Sequence, residues 1–160
     1  MIALTEEAIR SSFVNASRRE RTDANLPPTW ASTLWESLDY LGWRDPKLPG
    51  RAYAVIPVET GRLVGIMFRQ AEASVGLRMM CAWCEDVWLN SEVVFYGAKR
   101  SGAAGRQGNT VGTYVCRDFN CSENVRRDPP LPYQGYDMEA ARNTRIIQLQ
   151  QKAAAFAMNL

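Results

Sequence analysis

The sequence predicts an α+β fold in which antiparallel β-hairpins are flanked by N-terminal and C-terminal helices. Helical periodicity appears at both ends of the chain, two strand–turn–strand patterns occupy the middle, and four cysteines form two close pairs. The 160 residues are enough for a domain with a hydrophobic core of its own. The predicted division is an N-terminal helical segment at 1–42, a β-rich domain with all four cysteines at 43–132, and a C-terminal helix packed on that domain at 133–160.

The N-terminal segment is predicted to contain two helices. Thr5 is a candidate N-cap, and the two acidic residues after it suit the positive end of a helix. Apolar residues follow at helical spacing, and this helix is expected to end within 17–21. After a Pro-Pro break, a shorter apolar segment at 30–41 is expected to end at Gly42.

Two β-hairpins are predicted in the middle of the chain. The first has a turn with Gly61, which is free to adopt positive φ, and Pro57 marks an edge position or the end of a strand. The second joins its strands through a Gly-rich, basic loop. The predicted strands are 52–58 and 63–68, then 93–96 and 110–115, with the loop at 97–108.

A proline-rich linker at 128–135 separates the predicted hairpins from a last helix, which Asp137 is expected to cap. Apolar residues recur every three or four positions along this helix, so one face is expected to pack on the rest of the protein. These residues are Ile146, Leu149, Ala153, Phe156 and Leu160.

The chain contains no histidine, which excludes His-based catalysis and His-ligated metal sites. A metal site would have to use cysteine or carboxylate. No apolar run approaches the ~20 residues that a membrane span needs, and the first ten residues lack the apolar core of a signal peptide. We therefore expect a cytoplasmic protein with no membrane association.

The four cysteines follow a C-x2-C, long gap, C-x4-C pattern. Cys81 and Cys84 would form a tight knuckle after a strand, and Cys116 and Cys121 would lie where a helix opens, with that helix continuing to about Arg127. Two such pairs can complete a tetrahedron of sulfurs around Zn²⁺. Knuckle, hairpin and then helix is the order of a treble-clef zinc finger.

Other interpretations of the cysteines are two disulfides, a redox-active C-x-x-C pair, or four ordinary buried thiols. Disulfides need an oxidising compartment, to which nothing in the sequence directs the chain. A redox pair would leave the second pair idle. Iron also binds four thiolates, but zinc is the commoner metal of this geometry. The sequence thus predicts one structural Zn²⁺ per chain, with no open position for catalysis.

The Gly-rich loop does not match a nucleotide-binding motif, because it lacks both the Walker lysine and a G-x-G-x-x-G pattern. It is either a flexible surface loop or a cationic contact surface for a partner that uses Lys99, Arg100 and Arg106. The net charge of +2 means that any basic patch must be local.

The aromatic residues near the cysteines have two interpretations. Trp83 and Phe119, each between two cysteines, either pack around the metal or anchor a partner. Tyr114 is expected in the core as a strand residue. Three tryptophans fit a core of helices and turns: Trp30, Trp35 and Trp43.

Residues 38–127 resemble the treble-clef domain of the elongation-factor-G-binding proteins, the FusB-type fusidic-acid-resistance family, and most closely its short stand-alone actinobacterial relatives. The similarity rests on the cysteine spacing, on Trp-Arg-Asp-Pro at 43–46, and on Gly-Arg-Gln-Gly-Asn-Thr-Val-Gly-Thr-Tyr from Gly105. The resemblance implies an α+β domain built on a zinc site of four cysteines. It also implies a non-enzymatic protein that binds elongation factor G and promotes its release from the ribosome.

The expected function is therefore that of a zinc-stabilised binding protein, with elongation factor G and the ribosome as partners and no small-molecule substrate. Because the segment before the shared part is short, the role is either fusidic acid resistance or a housekeeping role. The proposed contact residues are Lys99, Arg100, Arg106, Phe119 and Trp83. The alternative is a zinc finger that binds ribosomal RNA or another nucleic acid through the same loop, with Trp83 and Phe119 stacking on bases.

Overall fold

The computed structural model describes residues 1–27, 30–58, 61–71, 79–86, 92–128, 133 and 135–160. Its strands form one antiparallel sheet in which spatial order follows chain order. The strands are β1 (Leu41–Arg44), β2 (Arg51–Pro57), β3 (Leu63–Gln70), β4 (Val93–Lys99) and β5 (Thr110–Cys116). The helices are α1 (Glu6–Ser12), α2 (Arg18–Asp23), α3 (Gly102–Arg106), α4 (Cys121–Arg126) and α5 (Met138–Met158). No described helix is long and apolar enough to cross a bilayer.

The two faces of the sheet support two hydrophobic clusters. Side chains alternate along a strand, so β2 contributes Ala54 and Ile56 to one cluster and Tyr53 and Val55 to the other. The first cluster contains the four cysteines and the apolar face of α5, and the second is covered by α1. The sheet therefore separates the cysteine site from α1.

The N-terminal helix is shorter than predicted. The Thr5 hydroxyl accepts a hydrogen bond from the Ala8 amide at 3.1 Å, which confirms the cap. The helix ends at Ser12 because Phe13 leaves it to form a parallel bridge with Gly65 of β3. A second short helix, α2, then begins after Ser17 with a capping box. The prediction of one helix extending to 17–21 is wrong for this reason.

The prediction of helical structure up to Gly42 is also wrong. Residues 30–32 and 35–37 form 3₁₀ turns, and Leu41–Arg44 form β1, so the predicted boundary after Gly42 falls within a strand. Gly42 serves close packing instead: a Cβ there would lie 2.5 Å from the Phe119 Cβ. Local periodicity missed this strand because its pairing with β2 is a tertiary contact.

The two hairpins are confirmed, with strand ends shifted by up to three residues. Gly61 has φ 72°, Pro57 is the last residue of β2, and turn residues 59–60 lie outside the described part. The predicted loop at 97–108 is partly wrong, because β4 continues to Lys99 and α3 occupies five of the remaining residues.

The last helix is confirmed. The Asp137 carboxylate caps it by accepting from the Ala140 amide at 2.9 Å, and its apolar face packs on the first cluster. The rigid linker predicted at 128–135 lies largely outside the described residues, which omit 129–132 and 134.

The end of α1 is built into the sheet. The Val14 amide donates to the Gly65 carbonyl at 2.9 Å. The Asn15 side chain then bonds both backbone groups of Met67 on β3 and the carbonyl of Lys99 on β4. Gly65 permits this approach because it has no side chain: a Cβ there would lie 2.4 Å from the Ser12 hydroxyl.

A buried carboxylate connects β1 to both C-terminal helices. Asp39, whose side chain is 1% exposed, accepts two hydrogen bonds from the Arg126 guanidinium of α4 and one from the Gln150 amide of α5. Its backbone amide donates to the Ser122 hydroxyl at 2.9 Å. This network holds α4, which begins with a cysteine of the site, against the start of the sheet.

We predict that Gly65→Ala lowers the free energy of unfolding by about 1 to 3 kcal/mol, because the added methyl overlaps Ser12 and the Phe13 amide nitrogen. Urea unfolding measures this effect. Gly97→Ala is the matched control, since a Cβ at this strand position lies 3.9 Å from its nearest neighbour. Equal stability of the two variants would contradict the role assigned to Gly65.

We predict that Asp39→Asn lowers the free energy of unfolding by about 2 kcal/mol, because a largely buried guanidinium loses its counter-ion. The value lies below that of a fully buried pair since the Arg126 side chain is 30% exposed. The control is Asp23→Asn, which breaks an exposed i,i+4 pair and should change stability by less than about 0.5 kcal/mol. Thermal unfolding of both variants distinguishes a structural ion pair from a dispensable one.

Candidate metal centre

The four cysteine sulfurs converge on one buried point. Cys81 and Cys84 lie in the turn before β4, Cys116 ends β5, and Cys121 begins α4. All four sulfur atoms lie within 4.8 Å of one another, and all four residues are buried. This arrangement is the one that the cysteine spacing predicts.

The spacing of the sulfurs distinguishes a metal site from disulfides. The Cys81–Cys121 and Cys84–Cys116 sulfur pairs are each 3.6 Å apart. A disulfide bond would hold its sulfurs at about 2.0 Å. A tetrahedron with Zn–S bonds of about 2.3 Å has edges of about 3.8 Å. The sulfurs are therefore free thiols placed at the corners of a site that fits a tetrahedral ion.

The knuckle that carries the first pair is shaped by local hydrogen bonds. The Cys84 amide donates to the Cys81 sulfur at 3.4 Å, and the Glu85 amide donates to the Cys81 carbonyl at 3.0 Å. Glu85 has φ 49°, which ends the turn sharply. The Ala82 amide donates to the Tyr114 carbonyl at 2.8 Å, so the knuckle is attached to β5 close to the second pair.

The second pair is placed by a strand end and a helix start. After Cys116 the chain turns, with the Phe119 amide donating to the Cys116 carbonyl at 2.9 Å and Phe119 at φ 57°. The helix begins only at Cys121 and ends at Arg126. The prediction that this pair lies where a helix opens is therefore confirmed, with Cys116 still a strand residue paired with Val93 and Cys121 the first residue of α4.

One polar side chain at the site was not predicted. The Asn124 amide donates to the Cys116 sulfur at 3.4 Å and approaches the Cys84 sulfur at 3.9 Å. Such N–H···S contacts favour the thiolate form. The sequence feature that could have predicted this contact is the position of Asn124 three residues after Cys121, which places both side chains on the same face of a helix.

The electrostatics of the cluster favour a cation. Hydrogen bonds from the Cys116 and Cys121 thiols lower the pKa of Cys81, whereas contacts with Cys116 and Cys81 raise the pKa of Cys121. Burial, together with the nearby Cys121, raises the pKa of Tyr40 well above its usual value. Ionisation of one thiol thus opposes ionisation of the next, and a divalent cation removes this opposition because it binds all four as thiolates.

Trp83 and Phe119 pack around the centre. They are 2% and 5% exposed, and their rings contact each other at a centroid distance of 6.4 Å. The packing interpretation is confirmed, and the proposal that these rings contact a partner or stack on bases is wrong because neither reaches the surface. Other rings of the same aromatic cluster are Tyr40, Phe68, Tyr96 and Phe156.

The basic residues predicted to contact a partner have different surroundings. Lys99 and Arg106 are exposed. Arg100 donates to the Asn159 carbonyl, so its guanidinium holds the end of α5. The prediction for Tyr114 is wrong, since it is 38% exposed on the open face of β5. The three tryptophans contribute to the second cluster as predicted: Trp43 is buried, and Trp30 and Trp35 are partly buried.

A solved structure shares this fold. The chain is similar to a solved structure described as "Structure of the fusidic acid resistance protein FusC", with a TM-score of 0.50 and 21% identity. The match covers 66% of this chain and 47% of FusC. This chain therefore spans about half the length of FusC, and at this identity the likeness concerns the fold alone. No curated protein sequence matches the chain.

A family profile extends over nearly the whole chain. The profile of the FBP C-terminal treble-clef zinc-finger matches residues 8–160. Its name agrees with the observed site, in which a knuckle, a hairpin and a helix bring four buried cysteines together. The chain therefore belongs to the FBP C-terminal treble-clef zinc-finger family.

Proposed function

We propose that this chain is a non-catalytic, zinc-stabilised binding protein that binds elongation factor G and favours its release from the ribosome. The observation that carries the proposal is the family match over residues 8–160, joined to a cysteine site of the matching geometry. FusC, described as a fusidic acid resistance protein, shares this fold. A cytoplasmic location follows from that partner.

The proposed metal is one structural Zn²⁺ per chain, held by Cys81, Cys84, Cys116 and Cys121. Four protein ligands fill a tetrahedral coordination shell and leave no position for a substrate or an activated water. The metal would join the knuckle to α4, so its binding free energy would add to the free energy of folding. The absence of histidine from the sequence agrees with a binding role rather than catalysis.

The proposed mechanism is a shift between two conformations of the factor. A protein that binds the dissociating conformation more tightly favours release, by no more than the difference between its two binding free energies. Two exposed cations, Lys99 at the end of β4 and Arg106 at the end of α3, offer charge for this contact. Because the chain spans about half of FusC, release of the factor and drug resistance require separate tests.

We predict that native mass spectrometry finds one zinc ion per chain, and that Cys84→Ser loses the metal and much of the stability. Loss of zinc removes the attraction that holds four thiolates together. The control is Met80→Leu, which changes an exposed neighbour of the knuckle and should retain the ion. A folded wild-type chain without metal, or one with disulfide bonds, would contradict the site.

Acidification should release the metal. The four sulfurs bind zinc as thiolates, so protons compete with the ion and affinity decreases as the pH falls. A cobalt-substituted sample should lose its thiolate-to-metal absorption in step with a decrease in thermal stability. If absorption vanished while stability stayed constant, the metal would not support the fold.

We predict that the purified chain binds elongation factor G with a dissociation constant below about 10 µM at low salt. Arg106→Glu should weaken binding about tenfold or more, because it reverses a charge at the proposed contact. The matched control is Arg62→Glu, an exposed reversal beside the first hairpin, which should leave affinity unchanged. Calorimetric titration measures both variants.

Two results would count against this proposal. Absence of a complex at about 10 µM of both proteins would reject the partner. Equal weakening by Arg106→Glu and Arg62→Glu would retain the partner but reject the contact surface. A second assay measures whether the chain shortens the residence time of the factor on ribosomes, with and without fusidic acid.

A further inference from the structure

Two aromatic rings lie on the open face of the β4–β5 hairpin. Phe95 and Tyr114 face each other across the two strands, 39% and 38% exposed. Their ring centroids are 5.1 Å apart with an interplanar angle of 65°. Large apolar rings on the surface of a small domain commonly mark a contact site.

The rest of this face is flat. The next pair along the hairpin on the same face is Gly97 and Gly112, and the pair after it is Lys99 and Thr110. The Phe95 ring lies over Gly112, where a Cβ would be 2.1 Å from the ring. Covering a strand glycine explains the position of Phe95, but it does not require an aromatic ring at Tyr114 or cations nearby.

Three cations share this face. Arg69 is paired with Gly97, and Arg51 is paired with Arg69, so both side chains lie on the face that carries Lys99. None of the three forms an ion pair among the residues that the structure describes. In contrast, the cations beside the metal site are paired with carboxylates: Arg44, Arg117, Arg126 and Arg127.

A cleft of about 220 Å³ opens on this face at Gly97, the next same-face position along β4 after Phe95. Arg69, Lys99 and the Thr110 side of β5 line it, with Gly97 as part of its floor. One carboxylate, Glu20, lies at its edge and accepts a hydrogen bond from the Ser17 amide at 2.8 Å. Three cations against one carboxylate leave the face positive.

The geometry points to a binding face for single-stranded RNA, on which Tyr114 and Phe95 stack with bases while Arg69 and Lys99 contact phosphates. We define this open face by Arg51, Arg69, Phe95, Lys99 and Tyr114. Same-face neighbours along a strand are roughly 7 Å apart, so Lys99 lies roughly 13 Å from Phe95, a span of a few nucleotides. Every base has a π-face, so such stacking tolerates many sequences.

Single strands suit this face better than duplexes do. A duplex hides its base faces in the helical stack, so only unpaired bases can lie on exposed rings. The proposal differs from the contact with elongation factor G, because it uses neither Arg100 nor Arg106, and Lys99 is the one residue that both surfaces include. In this proposal the bases stack on Phe95 and Tyr114 and not on Trp83 and Phe119, whose burial prevents them from stacking on RNA.

The test measures fluorescence anisotropy of a labelled oligouridylate of about 12 nucleotides and of an RNA duplex of similar length. The full chain is titrated at several salt concentrations between about 50 and 200 mM. The single strand should bind at least about tenfold more tightly than the duplex. Its log affinity should fall with log salt by about 0.7 for each phosphate contacted.

Two variants separate stacking from charge. Tyr114→Leu should weaken binding about tenfold with little change in the salt slope, because it removes a stacking surface and no charge. Arg69→Gln with Lys99→Gln should flatten the slope by about 1.4, since two phosphate contacts are lost. The control is Arg62→Gln, an exposed cation outside this face, which should behave as the wild-type chain does.

The proposal is overturned if the wild-type chain does not bind the oligonucleotide at about 100 µM protein in low salt. Equal affinity for duplex and single strand, or equal behaviour of all variants, also overturns it. If the variants lose elongation factor G while RNA does not bind, the face is a protein contact instead. If Tyr114→Leu does not fold, the double variant Arg69→Gln with Lys99→Gln still tests the proposal, because both side chains are exposed.

Discussion

The structure depends on the convergence of four buried sulfurs from three different elements. Cys81 and Cys84 come from a knuckle, Cys116 from the end of β5, and Cys121 from the first position of α4. Four thiolates this close repel one another, so the arrangement is favourable only when a cation is shared among them. An ion held by all four sulfurs would be structural, since the protein would fill every position of a tetrahedral shell.

Other contacts hold these three elements in position around the sulfurs. Asp39 connects the start of β1 to α4 and α5, and Asn124 directs an amide at the sulfurs from within α4. Buried rings, including Trp83 and Phe119, fill the space between the site and the sheet. The cysteine site is thus enclosed by packing, while Phe95 and Tyr114 on the open face of β4–β5 are exposed.

The sequence and the structure agree best where a local pattern has one physical meaning. The hairpin at Gly61 and the cap at Asp137 were predictable because each depends on residues close in the chain. The cysteine site was predictable because each of its two pairs has a spacing typical of a metal site. They differ where distant residues compete. The segment before Gly42 has helical spacing, but pairing with β2 makes its end a strand.

The sequence by itself determined the α+β class and the four-sulfur site, because two close pairs of cysteines at this spacing suit a tetrahedral metal site. Only the tertiary structure decided which aromatic rings reach the surface. Trp83 and Phe119 each lie between two cysteines of the site in the chain yet are buried, whereas Phe95 and Tyr114 belong to strands and are exposed. The reason is that alternation gives a strand two faces, and only packing of distant elements determines which face is covered.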